Sequence, residues 1–180
     1  MRPMANPAPT GYTVEDLDWL RNEISVVAHL ELDPWGSLIV SPVTDEHQAA
    51  MVLLQDQATR QLDLPPGSVW GNAFQWTVPG GSGYLMIPDV AVLAPGWQRV
   101  GELHLDPPPL LVVEIASPST RRVDRSRKLS DYRLGGATQY LLVDLPASFE
   151  LHDFAAGTVV ESKGAIDLVV AGQPLRFSLP

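Results

Sequence analysis

Two apolar runs separated by a helical segment set the strongest limit on what this chain can become. Leu110-Leu111-Val112-Val113 leads into Glu114-Ile115-Ala116, and Tyr140-Leu141-Leu142-Val143 ends at Asp144. Each run is apolar on both faces, as a central strand covered from both sides must be. Ser117-Pro118-Ser119-Thr120 breaks the first run, the pattern over 123–134 is helical, and Gly135-Gly136 stops it. A strand–helix–strand unit of this kind places two neighbouring strands parallel, joined by a right-handed crossover. The expected class is therefore α/β, with a mixed sheet core flanked by helices.

The remaining segments supply the flanks. Residues 1–12 hold three prolines and read as a flexible leader with no signal-peptide run, and 13–180 as a single domain. Thr13 and Asp16 are spaced to cap a short helix whose apolar members are Leu17, Leu20 and Ile24. Strands over 26–31 and 36–41 would turn at Asp33-Pro34-Trp35-Gly36, an N-terminal hairpin. Thr44 is a natural N-cap for a second helix with Asp45 and Glu46 in its first turn and Ala50, Leu53, Leu54, Ala58 and Leu62 on its apolar face. Alternation over 69–78, the turn at Pro79-Gly80-Gly81-Ser82-Gly83 and a return over 84–93 predict a second hairpin. Short edge or hairpin strands follow over 149–154, 158–161 and 166–170, so β-hairpins are expected at the C-terminal end too.

Composition removes several function classes. With no cysteine, disulfide frameworks, thiolate metal sites and a cysteine nucleophile are excluded. The longest run of leucine, valine and isoleucine is four residues, too short for a membrane span, and a soluble, cytoplasmic protein is expected. Twelve basic residues against 21 acidic ones give a net charge of −9, which opposes avid nucleic-acid binding by the molecule as a whole. The positive charge is concentrated, however: Arg121, Arg122, Arg125, Arg127, Lys128 and Arg133 place six of the twelve cations in thirteen residues. That stripe is either a solvated helix face or a surface for phosphate.

Chemistry is most visible where a carboxylate interrupts an apolar pattern. Asp89 follows Pro88 inside Leu85-Met86-Ile87-Pro88-Asp89-Val90, and Glu114 sits inside the first buried run. A carboxylate there must be paired, hydrogen-bonded or bound to a cation. Two on adjacent strands repel, which a divalent metal relieves; bonds to backbone amides or an arginine are the plainer alternative. Lys128 shares a helix face with Asp124 and Tyr132 at i, i+4 and i+8, either as an ordinary ion pair with Asp124 or as an ammonium held near a site. Ser117 and Ser119 have no nearby histidine for triad chemistry, and the glycine turn at 80–83 lacks the lysine and helix of a phosphate loop.

Taken in order, Pro88-Asp89-Val90, Val113-Glu114-Ile115-Ala116-Ser117-Pro118-Ser119-Thr120, Asp124-x3-Lys128-x3-Tyr132-x2-Gly135 and Tyr140-Leu141-Leu142-Val143-Asp144 resemble the Uma-type family of restriction-endonuclease-like proteins, in the PD-(D/E)xK nuclease superfamily. The resemblance is strongest over 85–154. It implies a restriction-endonuclease-like fold and a Mg²⁺-dependent (or Mn²⁺-dependent) endonuclease acting on DNA. Asp89 and Glu114 would be metal ligands, with the Ile115 carbonyl beside them, and Lys128 would be the third catalytic group. Ala116 departs from the superfamily pattern, since a lysine normally stands there. Glu31 and His47 also fall in family order; Glu31 is an outer-shell carboxylate or an exposed strand residue, and His47 an outer-shell base, a phosphate contact or a structural residue. Arg121, Arg122 and Arg125 would contact phosphate. Small nucleases of this superfamily often act as symmetric pairs, and Trp35, Trp70 and Trp76 in hairpins are candidates for a homodimer interface or caps on a single core. The rival class is an inactive nuclease fold kept as an interaction or accessory module, which the acidic charge and Ala116 favour.

Overall fold

The computed structural model describes residues 11–13, 16–17, 19–20, 28–32, 37–42, 44–71, 86–100, 104–116 and 121–180. Near the N-terminus Thr13 and Asp16 cap one another: the Thr13 amide and hydroxyl donate to Asp16 Oδ2 at 2.7 and 2.8 Å, and the Asp16 amide donates back to Thr13 Oγ1 at 3.2 Å. Strands β1 (Ala28–Leu32) and β2 (Leu38–Pro42) pair antiparallel as the N-terminal hairpin. Helix α1 (Asp45–Gln61) starts where expected, with Thr44 Oγ1 accepting from the His47 amide at 3.2 Å.

The centre is a six-stranded mixed sheet. Its members are β3 (Val69–Gly71), β4 (Val90–Val92), β7 (Leu111–Ala116), β8 (Gln139–Asp144), β9 (Ser148–Asp153) and β10 (Thr158–Lys163), in the order β10-β9-β8-β7-β4-β3. Only β7 and β8 run parallel, joined through helix α2. That helix comprises Arg121–Val123, a π turn over Asp124–Lys128 and Leu129–Leu134. All six residues of β7 are buried, as the continuous apolar run required.

Alternation sorts the two faces. Val90, Val92, Leu111, Val113, Ile115, Leu141 and Val143 face one core, which α1 and the hairpin of β11 (Ala165–Val170) and β12 (Gln173–Ser178) cover. Ala91, Val112, Ala116, Tyr140 and Leu142 face the other, where Tyr132 of α2 packs. The two members of the α1 face nearest β12 do more than fill space. Gln57 and Gln61 each donate to and accept from the β12 backbone, at Ser178 and Arg176, over 2.9–3.0 Å, so helix side chains take the part of a neighbouring strand.

Several expectations change. The return strand is confined to β4, with an isolated bridge at Met86, because Pro88 has no amide to donate and the ladder cannot run through it. The outgoing strand expected over 69–78 is described only as β3, and the turn at 79–83 lies outside the described residues, as do most of the leader, the turn at 33–36 and the break at 117–120. A hairpin of β5 (Gln98–Val100) and β6 (His104–Asp106) and the last strand β12 were not anticipated. β12 is cut off from β11 in sequence by a turn with positive φ at both Ala171 (51°) and Gly172 (77°), the geometry of a two-residue hairpin. Trp70 packs edge-on against Trp97 at 5.9 Å and donates to the Gly67 carbonyl at 2.5 Å, so it caps this chain's own core. Trp35 and Trp76 lie outside the described residues. No helix among the described residues is long and apolar enough to cross a membrane.

Leu141, in the middle of β8, has no exposed surface. Truncation to alanine should cost about 2–5 kcal/mol, the range for a buried leucine whose cavity only partly closes, measured by urea unfolding against the parent chain.

Candidate active site

The two carboxylates that interrupt the apolar pattern lie on the same side of the sheet. Val90 pairs with Val113 in an antiparallel register, so Asp89, just before β4, stands opposite Glu114 on the face covered by α2. Beyond that pair the backbone ladder ends, and the Asp89 side chain replaces it: Oδ2 accepts from the Ile115 amide at 2.7 Å. His47, delivered by the first turn of α1 from the far side of the sheet, brings Nε2 to 3.2 Å from the same oxygen.

Lys128 gathers the other acids. Its Nζ lies 2.8 Å from Glu31 Oε2, 3.0 Å from Glu114 Oε1 and 3.8 Å from Asp124 Oδ1. Glu31 is 2% exposed and its Oε1 accepts from the Ile87 amide at 2.8 Å, which excludes the exposed-strand alternative. Leu30 and Leu32 turn into a small apolar cluster with Leu17, leaving Glu31 between them on the side of β1 that meets the sheet. Tyr132, wholly buried, donates its hydroxyl to Glu114 Oε1 at 2.5 Å, and Tyr140 donates to the Asp124 carbonyl at 3.2 Å with its ring stacked on Tyr132 at 5.4 Å. The Asp124–Lys128 pair is thus one part of a larger cluster.

Among the described residues, the cluster sets the buried carboxylates of Glu31, Asp89, Glu114 and Asp124 around the Lys128 ammonium and the His47 imidazole, with Arg127 and Asp131 at its edge. Burial pushes the Glu114 carboxyl up; Lys128 pulls it back, Asp89, Glu31 and Asp124 push it further, and the outcome lies well above the usual carboxylate range. For Lys128 burial opposes the charge, but Glu114, Glu31 and Asp124 outweigh it and hold the ammonium well above lysine's ordinary value. Burial also opposes charge on His47, and the hydrogen bond and attraction of Asp89, with the Ile115 backbone, raise it above 6.5 nonetheless.

Two arginines of the cationic stripe go elsewhere. Arg121 Nε binds Asp144 Oδ1 at 2.8 Å, while Arg125 reaches Asp144 Oδ2 at 2.5 Å and Glu150 Oε2 at 3.2 Å. These two arginines tie α2 to the ends of β8 and β9, and Arg122 is exposed. Asp144, which ends an apolar strand and reads in sequence as a turn residue, is the hub of that network. Glu150 was not singled out, and its one sequence signal is alternation with Phe149 and Leu151 on β9. Ala116 is 4% exposed and packs among Tyr132, Tyr140 and Leu142, so an apolar core fills the strand position two residues after Glu114.

A mixed sheet with one parallel pair, a crossover helix over one face and an acid cluster at the ends of two adjacent strands defines a restriction-endonuclease-like α/β protein. The family model described as "Uma2: Putative restriction endonuclease" matches residues 26–159, and the chain belongs to that family. Among solved structures it is similar to one described as "a putative nuclease belonging to DUF820 from Anabaena variabilis ATCC 29413", with a TM-score of 0.61, 12% identity and coverage of 84% of each chain. At that identity the likeness is one of fold. No curated protein matches the chain.

Two measurements check the electrostatics. The His47 imidazole should titrate above 6.5 by ¹⁵N-detected NMR, and Asp89→Asn should bring it below, since burial and Lys128 would then oppose the charge. Because the folded value is the higher one, the pair stabilises most below pH 6.5 and its contribution fades as pH rises through the folded midpoint. Lys128→Met should destabilise the chain by about 3–5 kcal/mol at pH 8 and by less at pH 5, where the abandoned carboxylates can take up protons; thermal melts at the two pH values measure this.

Proposed function

We propose that this chain is a divalent-cation-dependent endonuclease that hydrolyses phosphodiester bonds in DNA, with Mg²⁺ the working ion and Mn²⁺ its substitute. The observation that carries the reading is the convergence of two buried carboxylates, Asp89 and Glu114, on one face of the sheet where β4 begins beside β7, with Lys128 Nζ 3.0 Å from Glu114. The donors are hard oxygens, the set that suits Mg²⁺ or Mn²⁺. Among the described residues no three histidine or carboxylate side chains form a ready-made cage. That fits Mg²⁺, which is usually held by one or two carboxylates and completes its shell with water and substrate phosphate. Asp89 and Glu114 would hold it, with the Ile115 carbonyl alongside. When bound, such an ion lowers the pKa of a coordinated water and neutralises charge on the phosphate.

The chain's own groups divide the remaining work. Lys128, with its proton firmly held, is a donor and a positive charge for the phosphate's developing negative oxygens, and not a base. His47 orients Asp89 from the α1 side. Glu31 keeps Lys128 beside Glu114. Arg122 is exposed for a phosphate contact, and Arg121 and Arg125 would have to exchange Asp144 and Glu150 for DNA. The same ion pairs, with the net charge of −9, favour the second reading: a nuclease fold kept as an interaction module.

Incubation with supercoiled plasmid separates the two. The endonuclease should nick it only with Mg²⁺ or Mn²⁺, and Asp89→Asn and Glu114→Gln, which preserve shape, should lose that cleavage. Cutting both strands takes two sites, so the reading includes a homodimer, for which linear product should accompany nicked circles. A folded chain that cleaves nothing with either ion supports the module.

A further inference from the structure

Glu114 receives two donors on one oxygen. Lys128 Nζ lies 3.0 Å from Oε1 and the Tyr132 hydroxyl 2.5 Å from the same atom. Two donors arriving from one helix hold Oε1 toward α2 and leave the second oxygen outside that pair of bonds. The ring that carries the hydroxyl is itself fixed, being wholly buried and stacked on Tyr140 at 5.4 Å and 28°.

The helix is built to bring both donors there. Residues 124, 128 and 132 are four apart, and in an unbroken α-helix each such step drifts about 40° around the axis, so the row would spread over about 80°. The π turn over Asp124–Lys128 closes its hydrogen bonds one residue later and winds more slowly, which opposes the drift. All three side chains are buried on the site side as a result.

We propose that Tyr132 is a positioning residue for cation binding: its hydroxyl, with Lys128, locks Glu114 by one oxygen and leaves the other presented toward Asp89. This rests on the metal-dependent reading above. Partners that orient a metal ligand without touching the metal are typically worth about 10–100-fold in metal affinity.

The test is Mn²⁺ binding by calorimetry and by electron paramagnetic resonance of free Mn²⁺, with no nucleic acid present. Tyr132→Phe keeps the ring and its stack and removes only the hydroxyl. It should weaken Mn²⁺ about 10-fold or more. Tyr140→Phe, which removes a hydroxyl directed at a backbone carbonyl, should bind Mn²⁺ as the wild type does. In the wild type, with ring-labelled tyrosine, added Mg²⁺ should shift the Tyr132 resonance more than that of Tyr140, a measurement that needs no variant to fold. Wild-type affinity in a folded Tyr132→Phe, or a Tyr132 resonance indifferent to Mg²⁺ that binds, overturns the inference alone. Absence of Mn²⁺ and Mg²⁺ binding in the wild type overturns the metal-dependent reading and this inference with it.

Discussion

One buried ammonium holds this architecture together at its most costly point. Lys128 meets Glu31 from the N-terminal hairpin, Glu114 from the central strand and Asp124 from its own helix, all within 3.8 Å and all nearly without solvent. Each charge would be strongly unfavourable there alone, and each is tolerable because the others are present. The cluster therefore couples the N-terminal hairpin, the central strand and α2 through charge. His47 adds a second tie, from α1 around the sheet end to Asp89, which stands opposite Glu114 in the sheet register.

How much of this was readable from sequence depends on whether the signal was local. Leu111–Ala116 and Gln139–Asp144 were readable as central parallel strands because a continuous apolar run between punctuating glycines and prolines has few other uses. Thr44 and the Thr13–Asp16 pair were readable because a cap is completed within three residues. Asp89 and Glu114 stood out as breaches of pattern, and Lys128 became more than a helix ion pair only through the ordered motif string. Glu31 could not be resolved, since an acid at an alternating position of a strand looks the same whether it faces water or a lysine from a helix almost a hundred residues later.

What was not readable is what tertiary context decides. β12 contains Pro174 and Arg176 and has weak strand chemistry, and it persists because β11 pairs it on one side while Gln57 and Gln61 of α1 satisfy its backbone on the other. The fate of the arginines was equally hidden. A cationic stripe reads alike whether it meets phosphate or Asp144 and Glu150, and only the parallel placement of β8 beside β7 sets Asp144 under the first turns of α2.

The placement of Lys128 follows from the same topology. Ala116 lies on the α2 face of β7, two residues beyond Glu114, where Tyr132, Tyr140 and Leu142 close around it. A lysine there would have to bury its stem among aromatic rings and bring its charge to the acids along the strand. The crossover helix offers another approach: it passes directly over the same strand, and its π turn aims Lys128 downward onto Glu114. A helix packed across a strand can thus supply from above an ammonium that the strand itself does not supply. This placement also ties the ammonium to the helix, so that whatever moves α2 moves the charge beside Glu114. Arg121 and Arg125, anchored on Asp144 and Glu150 at the opposite flank of that helix, restrain such movement.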